Sequence, residues 1–239
     1  MVESPQKLTF GAVGCGKTVL VSLAVEKVGD LCKTKQHSYV GYFYCTSRGP
    51  SGHEITNILR QLIVQLCPPP EVPDVVQALY ESCNDRFPPR LPTVHELANT
   101  LLEMVSASSS TVQSSEETPE FYLLVDGLDE LHWSTRDDLF RALDPIISRQ
   151  LQNVRFLMAG RHSSDIPTLP DVAVWKQIDL HMTLIQSDIE IFVSKEVNLH
   201  PRLLRLDQNT KDTVKQKVAV EANGMYVNCV HDQLGYCVQ

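Results

Sequence analysis

Glycines spaced around a lysine near the start of the chain are suited to binding a phosphate group. Gly11 precedes Gly16 and Lys17 with the spacing of the phosphate-binding P-loop pattern. Glycines let the backbone curve so that successive N–H groups point at a phosphate, which side chains would obstruct. We therefore expect a nucleotide to contact Gly11, Ala12, Val13, Gly14, Cys15, Gly16, Lys17, Thr18 and Val19.

Lys17 and Thr18 supply the side-chain chemistry of this segment. In the P-loop pattern the lysine ammonium reaches the β- and γ-phosphates, and the threonine hydroxyl coordinates Mg²⁺. A helix predicted to begin near Lys17 adds the positive end of its dipole. The expected ligands are ATP or ADP, or else GTP, together with Mg²⁺, and the residues do not decide between the bases.

An acidic block follows the most apolar run of the chain. Phe121 to Val125 reads as a buried strand, and Asp126 comes directly after it. Ligands of α/β sheets bind at the carboxyl ends of the strands, where a P-loop protein needs a carboxylate for Mg²⁺. We therefore assign Asp126 to the metal. Asp129 or Glu130 is then expected to polarise the attacking water.

An arginine ends another apolar run. Arg161 follows Phe156 to Ala159, so it is expected at the same edge of the sheet as the acidic block. A guanidinium there would sense the γ-phosphate, which makes Arg161 a third catalytic candidate. Arg48, after the second predicted strand, is a weaker candidate for the same role.

Short apolar runs alternate with helical patterns, which is typical of a parallel sheet covered by helices. The runs predict strands at 8–10, 39–45, 121–125, 154–159 and about 174–180. Apolar spacing predicts a helix from Ile55 to Leu66, and capping boxes predict helix starts at Thr93 and Ser134. The predicted fold class is α/β: a P-loop NTPase with a mostly parallel five-stranded sheet between helices, followed by a short helical C-terminal region.

Local composition predicts a surface loop and a boundary between two regions of the chain. Residues 106–120 are mostly Ser, Thr and Glu, which predicts a flexible surface loop. After about residue 184 the strand patterns cease and helical patterns follow, with a last apolar segment at 225–238. We therefore expect a P-loop NTPase core at 1–183 and a helical extension at 184–239, as the start of a truncated helical subdomain.

Net charge and cysteine content indicate which kinds of binding partner and which cellular compartment to expect. The 239 residues carry a formal net charge of −8 without a dense run of Lys or Arg. Because nucleic-acid affinity comes mostly from phosphate neutralisation, we expect no nucleic-acid partner. An odd number of cysteines without a Cys-x-x-Cys pair predicts neither a disulfide framework nor a zinc site, and fits the cytoplasm. No apolar run reaches the roughly 18 residues of a membrane-spanning helix, so no membrane partner is expected.

Taken in order, these motifs resemble a known family. The P-loop, the block from Leu123 to Glu130 and Arg161 after its strand look like the NACHT-type signalling NTPases of the STAND class. The likeness extends to the nephrocystin-like N-terminal NTPase modules of fungal proteins and covers about residues 8–238. It implies a five-stranded core in which the Arg161 strand separates the P-loop strand from the magnesium strand.

The resemblance also implies a function. Such a module is a signalling switch that holds ADP at rest, exchanges it for ATP and resets by slow hydrolysis, with fungal relatives linked to non-self recognition and cell death. Protein partners, or self-association through the NTPase module, are expected. Because no winged-helix domain or repeat array follows, the chain would be a fragment, a truncated product or a stand-alone module. A non-catalytic nucleotide-binding adaptor stays open, as does a P-loop small-molecule kinase.

Overall fold

The structure is a computed structural model of the chain. It describes residues 6–11, 14–46, 54–67, 72–85, 87–107, 118–161, 175–180, 182–199, 201 and 203–222. The chain forms two compact units. The first unit consists of Met1–Thr9 and Thr18–Gln177, and the second unit consists of Phe10–Lys17 and Ile178–Gln239. The division predicted at residue 183 stays a prediction.

Five strands form one sheet in the order β2-β3-β4-β1-β5. The strands are β1 (Gln6–Gly11), β2 (Ser38–Tyr44), β3 (Glu120–Asp126), β4 (Val154–Arg161) and β5 (Trp175–Asp179). Parallel pairing joins β2 to β3 and β3 to β4. The predicted α/β fold with a five-stranded, mostly parallel sheet is therefore confirmed. The strand that ends at Arg161 lies between the other two motif strands, as the resemblance implies.

Helices account for most of the remaining described residues. They are α1 (Lys17–Thr34), α2 (Glu54–Leu66), α3 (Asp74–Asn84), α4 (Val94–Ala107), α5 (Trp133–Ile147), α6 (Met182–Leu199) and α7 (Gln208–Ala222). Sequence reasoning missed α3, although its apolar residues follow helical spacing, and Cys83 is its one buried residue. None of the helices in the described ranges is long and apolar enough to cross a membrane.

The strand bounds differ from the predicted ones by up to two residues, and two further boundaries differ for an identifiable reason. Helix α5 begins at Trp133, and its N-cap is His132, whose Nδ1 accepts a hydrogen bond from the Ser134 backbone N–H at 3.4 Å. The Ser134 hydroxyl pairs with the same ring at 2.8 Å, so the predicted capping box at Ser134 is wrong. The loop predicted at 106–120 is shorter, because α4 runs to Ala107 and β3 begins at Glu120. Residues 108–117 and the predicted segment 225–238 lie outside the described residues.

The core of the first unit surrounds β3. Leu123 and Val125 are fully buried on one face of the strand, and Leu124 on the other face packs with Val21 of α1. Helix α2 lies against β2 with the predicted apolar face buried. There Gly41 permits a close approach, because a Cβ at this position would lie 3.3 Å from the Leu62 side chain. The prediction that β3 is buried on both faces is therefore confirmed.

The predicted capping box of α4 is present. The Thr93 backbone N–H donates to Glu96 Oε2 at 2.9 Å, and the Glu96 N–H donates to Thr93 Oγ1 at 3.3 Å. Arg90 Nη1 also donates to Glu96 Oε2, at 2.8 Å. The Arg90 hydrogen bond, followed by those from Thr93, lowers the pKa of Glu96 to about 2. These bonds satisfy backbone donors that the first turn of a helix leaves unpaired.

Replacing Thr93 with Ala should destabilise the protein by about 1 kcal/mol, because the Glu96 N–H loses its side-chain acceptor. Thr93→Ser, which keeps the hydroxyl, is the matched control and should remain near the parent. Urea denaturation of the three proteins measures the difference. Equal stability of Thr93→Ala and Thr93→Ser would show that the cap does not contribute.

Candidate functional site

The turn of the P-loop lies in the second unit. Gly14 and Gly16 have φ angles of 69° and 89°, in the left-handed region that residues with a Cβ rarely adopt. The glycines at these positions of the motif are therefore required by the backbone itself. Ala12 and Val13, also predicted to contact nucleotide, lie outside the described residues.

Lys17 folds back on this loop. Its Nζ donates to the Gly11 carbonyl oxygen at 2.9 Å and lies 3.9 Å from Cys15 Sγ. The ammonium is therefore held over the same segment whose N–H groups are predicted to bind phosphate. A phosphate in the loop would compete with a neutral carbonyl for this charge, and a charged acceptor makes the stronger hydrogen bond.

Cys15 has a packing role that sequence reasoning missed. Its side chain is buried in an apolar cluster with residues of the C-terminal helices: Ile185, Ile189, Val193, Val197, Leu203, Val218, Ala219 and Ala222. A Cβ at Gly11 would lie only 2.6 Å from Cys15 Sγ. The Leu180 N–H also donates to the Phe10 carbonyl at 2.9 Å. A small apolar residue in a glycine loop gives no sequence signal for such packing.

In the first unit, a tight turn follows β3. Asp126 ends the strand with only 4% of its surface exposed. Gly127 then adopts a φ of +75°, and a Cβ there would lie 2.9 Å from the Cys45 carbonyl oxygen. A 3-10 helix, Leu128–Glu130, completes the turn. The glycine is required both by its backbone angle and by this close approach.

The electrostatic field at this edge is negative. Burial, followed by the nearby carboxylates of Asp126, Asp129, Glu130 and Glu54 in that order, raises the pKa of the Cys45 thiol to about 12. An acidic, partly buried edge favours a cation. Among the described residues no group of three or more His, Cys, Asp or Glu side chains could hold a metal ion by itself. A site with one or two carboxylates still suits Mg²⁺, because this ion commonly completes its coordination shell with water and phosphate oxygens.

Thr18, the second residue of α1, lies in the first unit. One turn later, Ser22 Oγ donates to the Thr18 carbonyl at 2.7 Å and lies 3.1 Å from the Tyr44 hydroxyl. Tyr44 is the register partner of Asp126. The two predicted magnesium ligands, Thr18 and Asp126, therefore lie at the same edge of the sheet. The side chain of Val19, which was also predicted to contact the nucleotide, is 73% exposed.

The structure brings two of the predicted catalytic residues together. Asp129 Oδ2 lies 2.7 Å from Arg161 Nε, and Asp129 Oδ1 accepts the Arg161 backbone N–H at 3.0 Å. Glu130, the neighbouring acid, is exposed. The carboxylate of Asp129 is therefore engaged, whereas that of Glu130 faces solvent. Arg48 lies outside the described residues.

Comparison with known families identifies the chain. Residues 3–161 match the family described as nephrocystin 3, N-terminal, over more than half of the chain. The chain belongs to this family. The predicted likeness to nephrocystin-like N-terminal modules is therefore confirmed. No curated protein matches this nephrocystin 3 N-terminal family member significantly in sequence.

Solved structures share the fold at low identity. One is Drosophila ORC bound to DNA, with 12% identity, a TM-score of 0.54, and coverage of 98% of this chain and 55% of that chain. Another is the Aeropyrum pernix ORC2 protein in its ADP form, with 13% identity, a TM-score of 0.50, and coverage of 92% and 53%. This family member therefore spans about half the length of these chains. It has the fold of the P-loop ATPases.

The prediction that nucleic acid is excluded as a partner is wrong. Drosophila ORC, which has the same fold, is solved bound to DNA. The net charge of −8 describes the whole chain, whereas nucleic-acid binding depends on the charge of one local surface. A negative total therefore does not exclude such a partner. The likeness itself shows the fold and assigns no DNA binding to this family member.

Replacing Gly127 with Ala should destabilise the protein by about 1–3 kcal/mol, since the new Cβ meets a backbone oxygen in a left-handed conformation. Gly29→Ala in α1 is the matched control, because a Cβ there has nothing within 4 Å. That change should instead stabilise the helix by about 0.5–1 kcal/mol. Denaturant titration measures both, and the same sign for both variants would contradict the account of the turn.

Proposed function

We propose that the chain is a nucleotide-binding signalling-switch NTPase of the NACHT type that hydrolyses ATP, or else GTP, slowly. The observation that carries the proposal is the P-loop turn, in which Gly14 and Gly16 take left-handed angles and Lys17 Nζ lies over the loop. Such a loop presents backbone donors and one cation to phosphate oxygens. We assign phosphate binding to Gly11, Ala12, Val13, Gly14, Cys15, Gly16, Lys17 and Thr18, with Val19 also contacting the nucleotide.

Thr18 and Asp126 would hold Mg²⁺. Their location at one edge of the sheet and the negative field around Cys45 support this assignment. When bound, the ion supplies positive charge that neutralises phosphate oxygens. The protein supplies one hydroxyl and one carboxylate, which is the small donor set that Mg²⁺ accepts beside a phosphate.

Glu130 is a better candidate than Asp129 to polarise the attacking water. A general base needs a carboxylate that can accept a proton from water. Asp129 is held in an ion pair by Arg161 at 2.7 Å, whereas Glu130 is exposed. We therefore assign water polarisation to Glu130 and γ-phosphate sensing to the Arg161 guanidinium.

The signalling role rests on the likeness of the Asp126–Glu130 block and Arg161 to NACHT motifs. Nucleotide exchange as the switching event, slow hydrolysis and a place in fungal non-self recognition or cell death are parts of this proposal. A cytoplasmic location is proposed from the free thiols of the described cysteines.

Replacing Lys17 with Ala should weaken Mg·ATP binding at least about 10-fold, because a charged hydrogen bond to phosphate is lost. Lys27→Ala removes another lysine from α1, at an exposed position, and should leave affinity unchanged. Calorimetric titration with and without Mg²⁺ measures the effect. Equal affinities of the two variants would reject the P-loop assignment.

Replacing Glu130 with Gln should leave nucleotide affinity near the parent value and slow hydrolysis by roughly 10²–10⁴-fold, the usual contribution of a general base. Glu26→Gln, at an exposed position of α1, serves as the control. Phosphate release at saturating nucleotide measures turnover. Undiminished release by Glu130→Gln would assign the water to another residue.

A further inference from the structure

Asp129 binds a single arginine through both of its carboxylate oxygens. Oδ1 accepts the backbone N–H of Arg161 at 3.0 Å, and Oδ2 lies 2.7 Å from the same residue's Nε. Asp129 belongs to the 3-10 helix after β3, and Arg161 is the last residue of β4. The Asp129 carboxylate therefore holds both the backbone at the end of β4 and the Nε side of the Arg161 guanidinium.

The ion pair leaves part of the guanidinium unused by Asp129. A guanidinium has five N–H donors, of which one is on Nε and four are on the two Nη groups. Asp129 contacts Nε, and 49% of the Arg161 side chain is exposed compared with 14% for Asp129. An anion can therefore bind the Nη groups without displacing the carboxylate.

The backbone beside the pair is closely packed. A Cβ at Gly160 would lie 3.3 Å from Leu128 Cβ and 3.7 Å from Asp129 Oδ1. Because residue 160 has no side chain, the 3-10 helix can approach the end of β4. This approach brings the Asp129 carboxylate within reach of both the backbone and the side chain of Arg161.

We propose that Asp129 is a positioning residue, which holds Arg161 through Nε so that its Nη groups bind the terminal phosphate of a nucleoside triphosphate. This role rests on the proposed function and regulates the same site. It sets the preference for triphosphate over diphosphate, because only the triphosphate offers that phosphate to Arg161. Asp129 itself contacts no nucleotide.

The test is the affinity for a non-hydrolysable ATP analogue and for ADP, each with Mg²⁺. Asp129→Asn should lower affinity for the analogue roughly 10- to 100-fold, the worth of a charged hydrogen bond, and leave ADP affinity unchanged. Arg161→Lys keeps the charge but lacks the planar arrangement of Nε and Nη, so it should show the same loss. The double variant should lose no more than either single variant, since both changes remove one interaction.

An exposed ion pair provides the matched controls. Arg141 Nη1 lies 2.8 Å from Asp138 Oδ1 on α5, and both side chains are mostly exposed. Asp138→Asn and Arg141→Ala should change neither affinity. Equal weakening of both nucleotides by Asp129→Asn, or additive losses in the double variant, would show a merely structural role and overturn the proposal.

The result also separates the two proposals. A parent protein that binds neither nucleotide rejects the proposed function and the positioning role with it. A parent that binds both nucleotides, with an unchanged preference in Asp129→Asn, keeps the proposed function and rejects the positioning role.

A measurement on the unmodified chain covers the case in which Asp129→Asn does not fold. The Nε–H resonance of Arg161, assigned in ¹⁵N spectra with Arg161→Lys, should persist in the free, ADP-bound and analogue-bound protein. The Nη resonances should become resolved only with the analogue. Loss of the Nε–H signal when the analogue binds would mean that the guanidinium leaves Asp129, and would overturn the proposal.

Discussion

Parallel pairing of β3 between β2 and β4 is the constraint on which the candidate site depends. The register pairs Asp126 with Tyr44 of β2 and Val125 with Met158 of β4. Parallel strands present their carboxyl ends at one edge, so the residues that follow them meet there. Because β3 is buried and bonded on both sides, its end cannot shift without breaking both pairings. The sheet therefore sets the position of Asp126.

A turn of a few residues gives three acids three different environments. Asp126 is buried at the strand end, Asp129 is bound to Arg161, and Glu130 faces solvent. The left-handed angle of Gly127 makes this separation possible, because it reverses the chain directly after the strand. Carboxylates that are close in sequence can thus take different chemical roles, since each role follows from exposure and hydrogen bonding.

Sequence patterns predicted the parts of the molecule that depend on apolar periodicity and glycine chemistry. The apolar run of β3 and the buried face of α2 required only local hydrophobic spacing. The ion pair of Asp129 with Arg161 was beyond sequence reasoning, because it depends on the distance between the ends of two strands. The His132 cap was missed because histidine is not among the usual capping residues. The exclusion of nucleic acid failed because a total charge does not describe a surface.

The burial of Cys15 among the C-terminal helices links the sequence of the P-loop to the sequence of those helices. The family match ends at residue 161, yet the side chain at position 15 packs in a cluster whose other members begin at Ile185. A close-packed interior couples the volumes of neighbouring side chains. A change in the volume of the side chain at position 15 therefore requires an adjustment among the side chains of these helices. An exchange of α6 and α7 between relatives would change the side chains that pack against Cys15 of the predicted phosphate-binding loop.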